Sequence, residues 1–560
     1  MLASVLIAAP APAASSCTSP PAVLPVNQIH PGMTGAGQTV LQGQTLSSFN
    51  VEVLGVIPNA FYLGVDVIVM KMTGPADFVD TTGGAIAGMS GSPIMINGKL
   101  AGAVAWGIAE DRTVFGATAA EDMVGLFSTS GANGPPPSSF PLTPQVRRAI
   151  AAATGTSLTQ TAASMDALPV PLGVSGASGA RLSDIEGTFA DHGIAITAFA
   201  AGSASAPSPT TLDPTPFKPG SGFGAGLAYG DVSYYTFGTT TAVCGNTAIA
   251  FGHPFAGTGP TALGLNEVDV IAIDNGTFWG TKIGVLGDAH GTMTDDRFPG
   301  VVGTFGAVPD LVPVTSSFSS PDTGMSRNGR TDIAWLQGWF VADATYSHAW
   351  SNITNVLGMA DGPGTLNLGW TITGTREDGS PWSVSSRTMG YSSWSATDTV
   401  WRLADMIYSL DGNGFEHISF SSVDMSGEVT SDDLTSTIVQ VRTASSLQPG
   451  LAVHDVLQAR PGDKVTIEVT FRTVDGSDVV STVSYKLPRG VSGTKQIKLR
   501  GGRESYWYGR DINSFDDMLA AMSGGEHPND LVVSGFGRSQ THEQGVIVNG
   551  KAGFSVQIVK

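Results

Sequence analysis

Asn97-Gly98 stands between two short apolar runs, Ile94 to Ile96 and Leu100 to Ala105, and this arrangement fits a β-hairpin better than anything else. A two-residue hairpin turn needs positive φ at both central positions, which Asn-Gly accepts more readily than other pairs. The same pattern recurs along the chain. Phe49, Val51 and Val53 alternate as a half-buried strand does, and Tyr62 to Met70 is rich in Val and Ile. Gly counts 72 and Pro 33 in 560 residues, so many short strands joined by turns fit better than long helices. The fold class expected is mainly β.

A chain of this length exceeds one hydrophobic core, and about two to four domains are expected. Residues 25–130 read as a compact β unit, with a short helix from Glu121 to Phe127. Residues 131–220 read as a linker or insertion, bounded by the Pro/Ser/Gly runs Gly134 to Ser139 and Ala206 to Pro219. Within it, Thr143 caps a helix with Pro144 in its first turn, ending at Gly155. Strands return over 221–330, at Asp231 to Phe237 and Thr247 to Phe251. Residues 331–425 are β-rich with one helix from Asp398 to Leu410, whose Val400, Leu403, Met406, Ile407 and Leu410 form an apolar face. Residues 426–560 read as a β-sandwich. There Val465, Ile467, Val469 and Phe471 alternate after the turn Pro461-Gly462-Asp463, and Asp475-Gly476 turns the chain toward Val483, Tyr485 and Leu487. A last helix runs from Ser514 to Gly524.

Residues 1–16 read as an export signal or its remnant, apolar from Leu2 to Ala9 with the small-x-small pattern Ala11-Pro12-Ala13. No later run of about 18 apolar residues offers a transmembrane span, so a secreted or cell-envelope location is expected. The net charge of −19 repels phosphate backbones and argues against nucleic acid as a partner. Cys17 and Cys244 leave three readings open: a disulfide, a free buried thiol with a cysteine near the cleavage point, or a lipid anchor on Cys17. The sequence leaves the oligomeric state open.

No cofactor and no metal are expected. Gly220 to Gly226 lacks the P-loop lysine and the Rossmann spacing, and two cysteines exclude a four-cysteine zinc site. Asp411-Gly412-Asn413-Gly414 with Glu416 is too short for an EF-hand loop, and Asp288, His290, Asp295 and Asp296 read as a polar turn.

The chemistry-bearing segment is Gly88-Met89-Ser90-Gly91-Ser92-Pro93, followed by the hairpin and Ala105-Trp106-Gly107. An acyl-transfer site needs a hydroxyl on a tight turn, with backbone N–H groups beside it converging on the developing oxyanion. Glycines on both sides of Ser90 permit that backbone. The segment resembles the chymotrypsin-like arrangement Gly-Asp-Ser-Gly-Gly-Pro, strand, turn, strand, Ser-Trp-Gly, over about twenty residues. The analogy places the nucleophile at Ser90 rather than Ser92, and the oxyanion donors at the N–H groups of Gly88 and Ser90. A serine also needs a base. His253, in Ala250-Phe251-Gly252-His253-Pro254-Phe255, follows an apolar strand and precedes a Gly/Pro-rich turn; His30 is the competitor, close upstream of Ser90.

Three segments together resemble the SpoIVB-type serine peptidases and their longer exported bacterial relatives. They are Pro31 to Gly37 leading into Phe49 to Val56, Thr82 to Pro93, and Ala250 to Phe255. The resemblance implies Ser90 as nucleophile and His253 as base, acting on a protein or peptide substrate with possible self-processing. It also implies a chymotrypsin-like double β-barrel, circularly permuted because the serine segment comes first, followed by the C-terminal β-sandwich. The family's acid is expected near Thr73-Gly74-Pro75, where no carboxylate stands. Asp269, which follows His253 as a permuted order requires, is the acid put forward, with Asp77, Asp80 and Asp231 as further candidates. Without an acid the alternative is a catalytically weak or inactive peptidase-like surface or binding protein.

Overall fold

The computed structural model describes residues 17–60, 64–128, 134, 138–177, 179–208, 213–276, 278–359, 362–503 and 511–559. The leader expected over 1–16 and the start of the strand expected at Tyr62 lie outside the described residues. The chain divides into two units, Met1–Leu311 with Asp332–Trp335, and Val312–Thr331 with Leu336–Lys560.

The first unit contains two closed barrels. Strands β1 (Thr34–Gln42), β2 (Thr45–Ile57), β3 (Val67–Gly74), β4 (Pro93–Ile96), β5 (Lys99–Gly107) and β6 (Val114–Ala119) pair antiparallel in the ring β1-β2-β3-β6-β5-β4, and β4 closes back on β1. Alternation drives this closure: Phe49, Val51 and Val53 all point inward, at no more than 1% exposure, to meet Ile68, Met70 and Phe115. The hairpin between β4 and β5 turns at Asn97 and Gly98, with φ of 51° and 73°. Helices α1 (Ala76–Thr82) and α2 (Ala120–Val124) flank the barrel.

The stretch read as a linker or insertion carries ordered elements. Strands β7 (Ser139–Pro141) and β8 (Ser164–Ala167) extend the first sheet from β5, with α3 (Pro144–Thr154) between them. Thr143 caps α3 by accepting from the Val146 N–H, and Gly155 ends it in the left-handed region, as the sequence indicates. Strand β9 (Val170–Val174), helix α4 (Ala180–Asp191) and strand β10 (Ile196–Ala200) form a parallel β-α-β unit.

β9 joins this unit to the second barrel through β12. The second barrel consists of β11 (Gly222–Gly230), β12 (Tyr234–Cys244), β13 (Thr247–Ala250), β14 (Gly259–Asp274), β15 (Thr281–Arg297) and β16 (Gly300–Phe305). Its antiparallel ring runs β11-β12-β13-β16-β15-β14 and closes from β14 to β11. Phe223, Leu265, Met293 and Phe251 are buried among its strands. Cys17 and Cys244 form a disulfide that ties the N-terminal segment to the end of β12, which excludes both the free thiol and the lipid anchor.

The second unit begins with a sheet of β17 (Val312–Ser319), β18 (Ser326–Ile333), β19 (Gly364–Arg376), β20 (Pro381–Ser392) and β21 (Ile418–Thr430) in the order β18-β17-β21-β19-β20. Helix α5 (Gly338–Leu357) packs on it, and α6 (Trp401–Asp411) packs on α5. The face read from the sequence is the buried one: Val400, Leu403, Met406, Ile407 and Leu410 are fully enclosed. The C-terminal part is a sandwich of a four-stranded and a five-stranded sheet. Their shared core includes Val465, Ile467, Val469, Phe471, Tyr485, Leu499 and Val556. Helix α7 (Phe515–Ser523) is capped by Ser514, whose hydroxyl accepts from the Asp517 N–H.

Candidate active site

Ser90 lies on the turn that enters β4 of the first barrel. Gly88 and Gly91 on either side of it have φ of +90° and +94°, values that a side chain would strain. At Gly91 a Cβ would also stand 2.0 Å from the Thr239 carbonyl oxygen. The second glycine of the motif therefore lets the serine turn press directly against β12 of the second barrel.

Two threonines of β12 hold that turn. The Thr239 N–H donates to the Ser90 carbonyl at 2.7 Å, and its hydroxyl donates to the Gly88 carbonyl at 3.0 Å. The Thr241 hydroxyl donates to the Gly91 carbonyl at 2.7 Å. The N–H groups of Met89, Gly91 and Ser92 bond to the carbonyls of Ile86, Val104 and Met89. The N–H groups of Gly88 and Ser90, the expected oxyanion donors, have no acceptor among the described residues.

His253 follows β13 of the second barrel after a sharp bend, with positive φ at both Phe251 and Gly252. The first barrel braces this bend in return: Thr118 donates to the Gly252 carbonyl at 2.5 Å, and the Trp106 indole donates to Thr118 at 3.2 Å. Each barrel thus fixes the turn that carries the other barrel's functional side chain.

The two groups meet. His253 Nε2 and Ser90 Oγ are 2.8 Å apart, and both residues are 2% exposed. His253 Nδ1 lies 2.8 Å from the Pro254 carbonyl oxygen. A carbonyl can only accept, so Nδ1 carries the proton and Nε2 is left as the acceptor for the serine hydroxyl. Burial pushes the imidazole pKa down to about 4, with the Pro254 bond acting in the opposite direction. The ring is neutral at pH 7.

With both ring nitrogens engaged, Asp269 does not bond to the imidazole. It sits on β14 opposite Val285, so the acid expected from chain order is corrected. Asp296 was read as part of a polar turn, but it is 1% exposed and accepts from the N–H groups of Phe255, Ala256 and Gly257 at 2.8, 2.7 and 2.8 Å. Of the other members of that turn, His290 pairs with Glu267 and Asp295 with Arg297, and no metal-binding cluster occurs among the described residues. His30 is exposed, its backbone N–H donating to Met33 Sδ.

Sequence reasoning missed Lys282. It is 2% exposed, its side chain lies against Gly88, and its ammonium donates to Thr39 at 2.6 Å. A cavity of about 290 Å³ opens beside His253, lined by Leu168, Val170, Pro254, Phe255 and Trp279. In the second unit His348 also bonds a serine, Ser316, at 2.9 Å, but its other nitrogen takes Thr331 and all three residues are buried. That group reads as an internal polar network.

Two closed antiparallel barrels, with a hydroxyl and an imidazole from different barrels at hydrogen-bond distance, define the architecture of a double-barrel serine peptidase. Residues 13–124, about a fifth of the chain, match the family model described as SpoIVB peptidase S55. The matched segment contains Ser90 and ends before His253, and it supports a SpoIVB-type serine peptidase. No curated protein and no solved structure matches the chain.

Proposed function

We propose that the chain is an exported serine endopeptidase of SpoIVB type in which Ser90 is the nucleophile and His253 the general base. The observation that carries this reading is the 2.8 Å separation of Ser90 Oγ from His253 Nε2, with the tautomer set by Pro254. Ser90 Oγ attacks the scissile carbonyl while its proton passes to Nε2. The oxyanion forms at the N–H groups of Gly88 and Ser90, which have no acceptor among the described residues and remain available to it. His253 then returns the proton to the leaving amine, and a water molecule deprotonated by the same nitrogen releases the acyl group. The cavity beside His253 is mainly apolar, with Asp166 and Ser138 also in its wall, and is of a size to receive a substrate side chain. The Cys17–Cys244 disulfide supports folding in an oxidising compartment, hence export.

A fluorophosphonate probe tests the assignment. The wild-type chain is expected to label on Ser90, and Ser90→Ala to remain unlabelled. Equal labelling of both removes the assignment. The reading includes self-processing, which the mass of the mature chain checks: Ser90→Ala retains the longer form. A peptidase-shaped binding protein is the second reading, favoured by the lack of a carboxylate on His253. Absence of labelling in a folded wild-type chain selects it.

A further inference from the structure

The imidazole of His253 and the carboxylate of Asp296 touch opposite ends of one peptide group. The Pro254 carbonyl accepts from His253 Nδ1 at 2.8 Å, and the N–H of the same peptide unit, that of Phe255, donates to Asp296 Oδ1 at 2.8 Å. We propose that Asp296 is the positioning residue of this site and acts on His253 through the Pro254–Phe255 peptide. The inference rests on the catalytic reading of His253 given above.

The physical basis is hydrogen-bond polarisation. A carboxylate accepting from the N–H end of an amide pushes the amide's electron density toward the carbonyl oxygen, and that oxygen becomes a stronger acceptor. Such coupling is most effective where water is absent, and Asp296 is 1% exposed with His253 at 2%. An ordinary triad acid does two things: it fixes the tautomer of the imidazole and steadies the imidazolium that forms during the reaction. Here the Pro254 oxygen fixes the tautomer, and the Asp296 charge reaches it through three bonds of a rigid plane. No proton crosses the peptide; Nδ1 keeps its hydrogen throughout, and Asp296 stays ionised.

The geometry is more specific than a loop brace requires. The N–H groups of Ala256 and Gly257 also converge on Asp296 Oδ2, so the carboxylate would hold the loop with those two bonds alone. The third bond is the one that fixes the plane of the Pro254–Phe255 peptide and aims its oxygen at Nδ1. Asp296 itself is set by β15, where it lies opposite Val301 of β16 and Gly259 of β14.

The test compares wild type with Asp296→Asn in the full chain. Asn keeps one acceptor oxygen, close in shape, and removes the charge. The rate of fluorophosphonate labelling at saturation is expected to fall at least roughly tenfold, with the half-saturating probe concentration within twofold of wild type. The downfield proton resonance of His253 Nδ1 is expected to move upfield as its bond to Pro254 weakens. A residue that only braced the loop would alter probe saturation and leave that proton where it was, which overturns the proposal. So does an unchanged labelling rate. If Asp296→Asn does not fold, the reciprocal variant serves. Proline is followed by phenylalanine only at Pro216–Phe217 and Pro254–Phe255, so carbonyl-labelled proline with amide-labelled phenylalanine leaves two amide resonances, and Phe217→Leu identifies which of them is Phe255. His253→Ala is then expected to shift the Phe255 N–H upfield, and an unmoved Phe255 resonance overturns the relay. These resonances report whether or not the wild-type chain labels, so failure of the relay is separable from failure of the peptidase reading.

Discussion

Thr239 holds both ends of the Ser90 turn: its N–H donates to the Ser90 carbonyl at 2.7 Å and its hydroxyl to the Gly88 carbonyl at 3.0 Å. The hydroxyl also lies 3.3 Å from that of Thr39 and 3.4 Å from that of Ser92. Thr239→Val keeps the shape of the side chain and the backbone bond but strips this buried cluster of its centre. Leaving the Gly88 carbonyl without a donor is expected to cost about 1–3 kcal/mol, read from urea unfolding. Because Gly88 supplies a proposed oxyanion N–H, the labelling rate should fall as well. Ser92→Ala removes only the longest of these contacts and should label as wild type does. Loss of labelling in Ser92→Ala with retention in Ser90→Ala would reassign the nucleophile.

The pH profile of labelling follows from two buried groups. Burial lowers His253 to about 4, so the base stays neutral and competent well below the range of an ordinary histidine. Burial raises Asp296 to about 6, against the lowering effect of its backbone N–H donors. Labelling from pH 8 downward should therefore drop in two steps. The first, partial step falls near pH 6 as Asp296 takes up a proton and the Pro254 carbonyl weakens. The second, complete step falls near pH 4 as His253 itself is protonated. Asp296→Asn should lack the first step and start from its lower plateau. A single step near 6.5 in the wild type would contradict both assignments.

What the sequence made legible was whatever a local period or turn encodes. Phe49, Val51 and Val53 point inward because alternation is the geometry of a strand, and Thr143 caps α3 because its hydroxyl reaches the Val146 N–H. Ser90 was read from the glycines that free the backbone of its turn, and His253 was preferred to His30 only through the family resemblance. Helix α5 was not, since it is buried on nearly every side and shows no polar stripe to mark its period. Apart from α3, the elements between 138 and 200 were hidden by Ala, Ser and Gly, which carry weak preference for either state. The partner of His253 could not be found by searching for a carboxylate at a set spacing, because the group bound to Nδ1 is the carbonyl of the next residue. Asp296 acts on the loop only after β15 has returned alongside β14, a relation that exists in three dimensions alone.

Lys282 makes a separate prediction about stability. Its ammonium bonds the hydroxyl of Thr39, and burial alone lowers its pKa from 10.5 to about 7. The unfolded chain binds this proton up to about pH 10.4, while the folded chain releases it near 7. Between those values the unfolded state holds more protons, so this group makes folding more favourable as pH rises through the window and less favourable as pH falls. Lys282→Met fills the same volume without the charge. It should be more stable than wild type at pH 7, by on the order of a few kcal/mol, and the gap should narrow at pH 9. Urea midpoints at the two pH values decide the matter. A gap that does not depend on pH would mean that the lysine is not held in a desolvated site.

The disulfide should matter to stability more than to chemistry. Cys17 and Cys244 are 227 residues apart in sequence, and joining them restricts the unfolded chain over nearly the whole first unit. Cys244 packs with Ala103, Met123, Ile249 and Val302. A Cys17→Ser, Cys244→Ser double variant leaves no unpaired thiol to misoxidise, and it is expected to lose about 2–4 kcal/mol. The loss should appear as a lower urea midpoint that a reducing agent does not change further, whereas the same reagent should lower the wild-type midpoint toward that of the variant. At 25 °C and without denaturant both chains remain folded, so their labelling rates at Ser90 should agree within about twofold, since neither sulfur bonds to the serine turn or to His253. A variant that unfolds as wild type does would show that the cross-link restrains nothing the barrels do not already hold. A folded variant that fails to label would show that the N-terminal segment reaches the site by a route other than the bond between these two sulfurs.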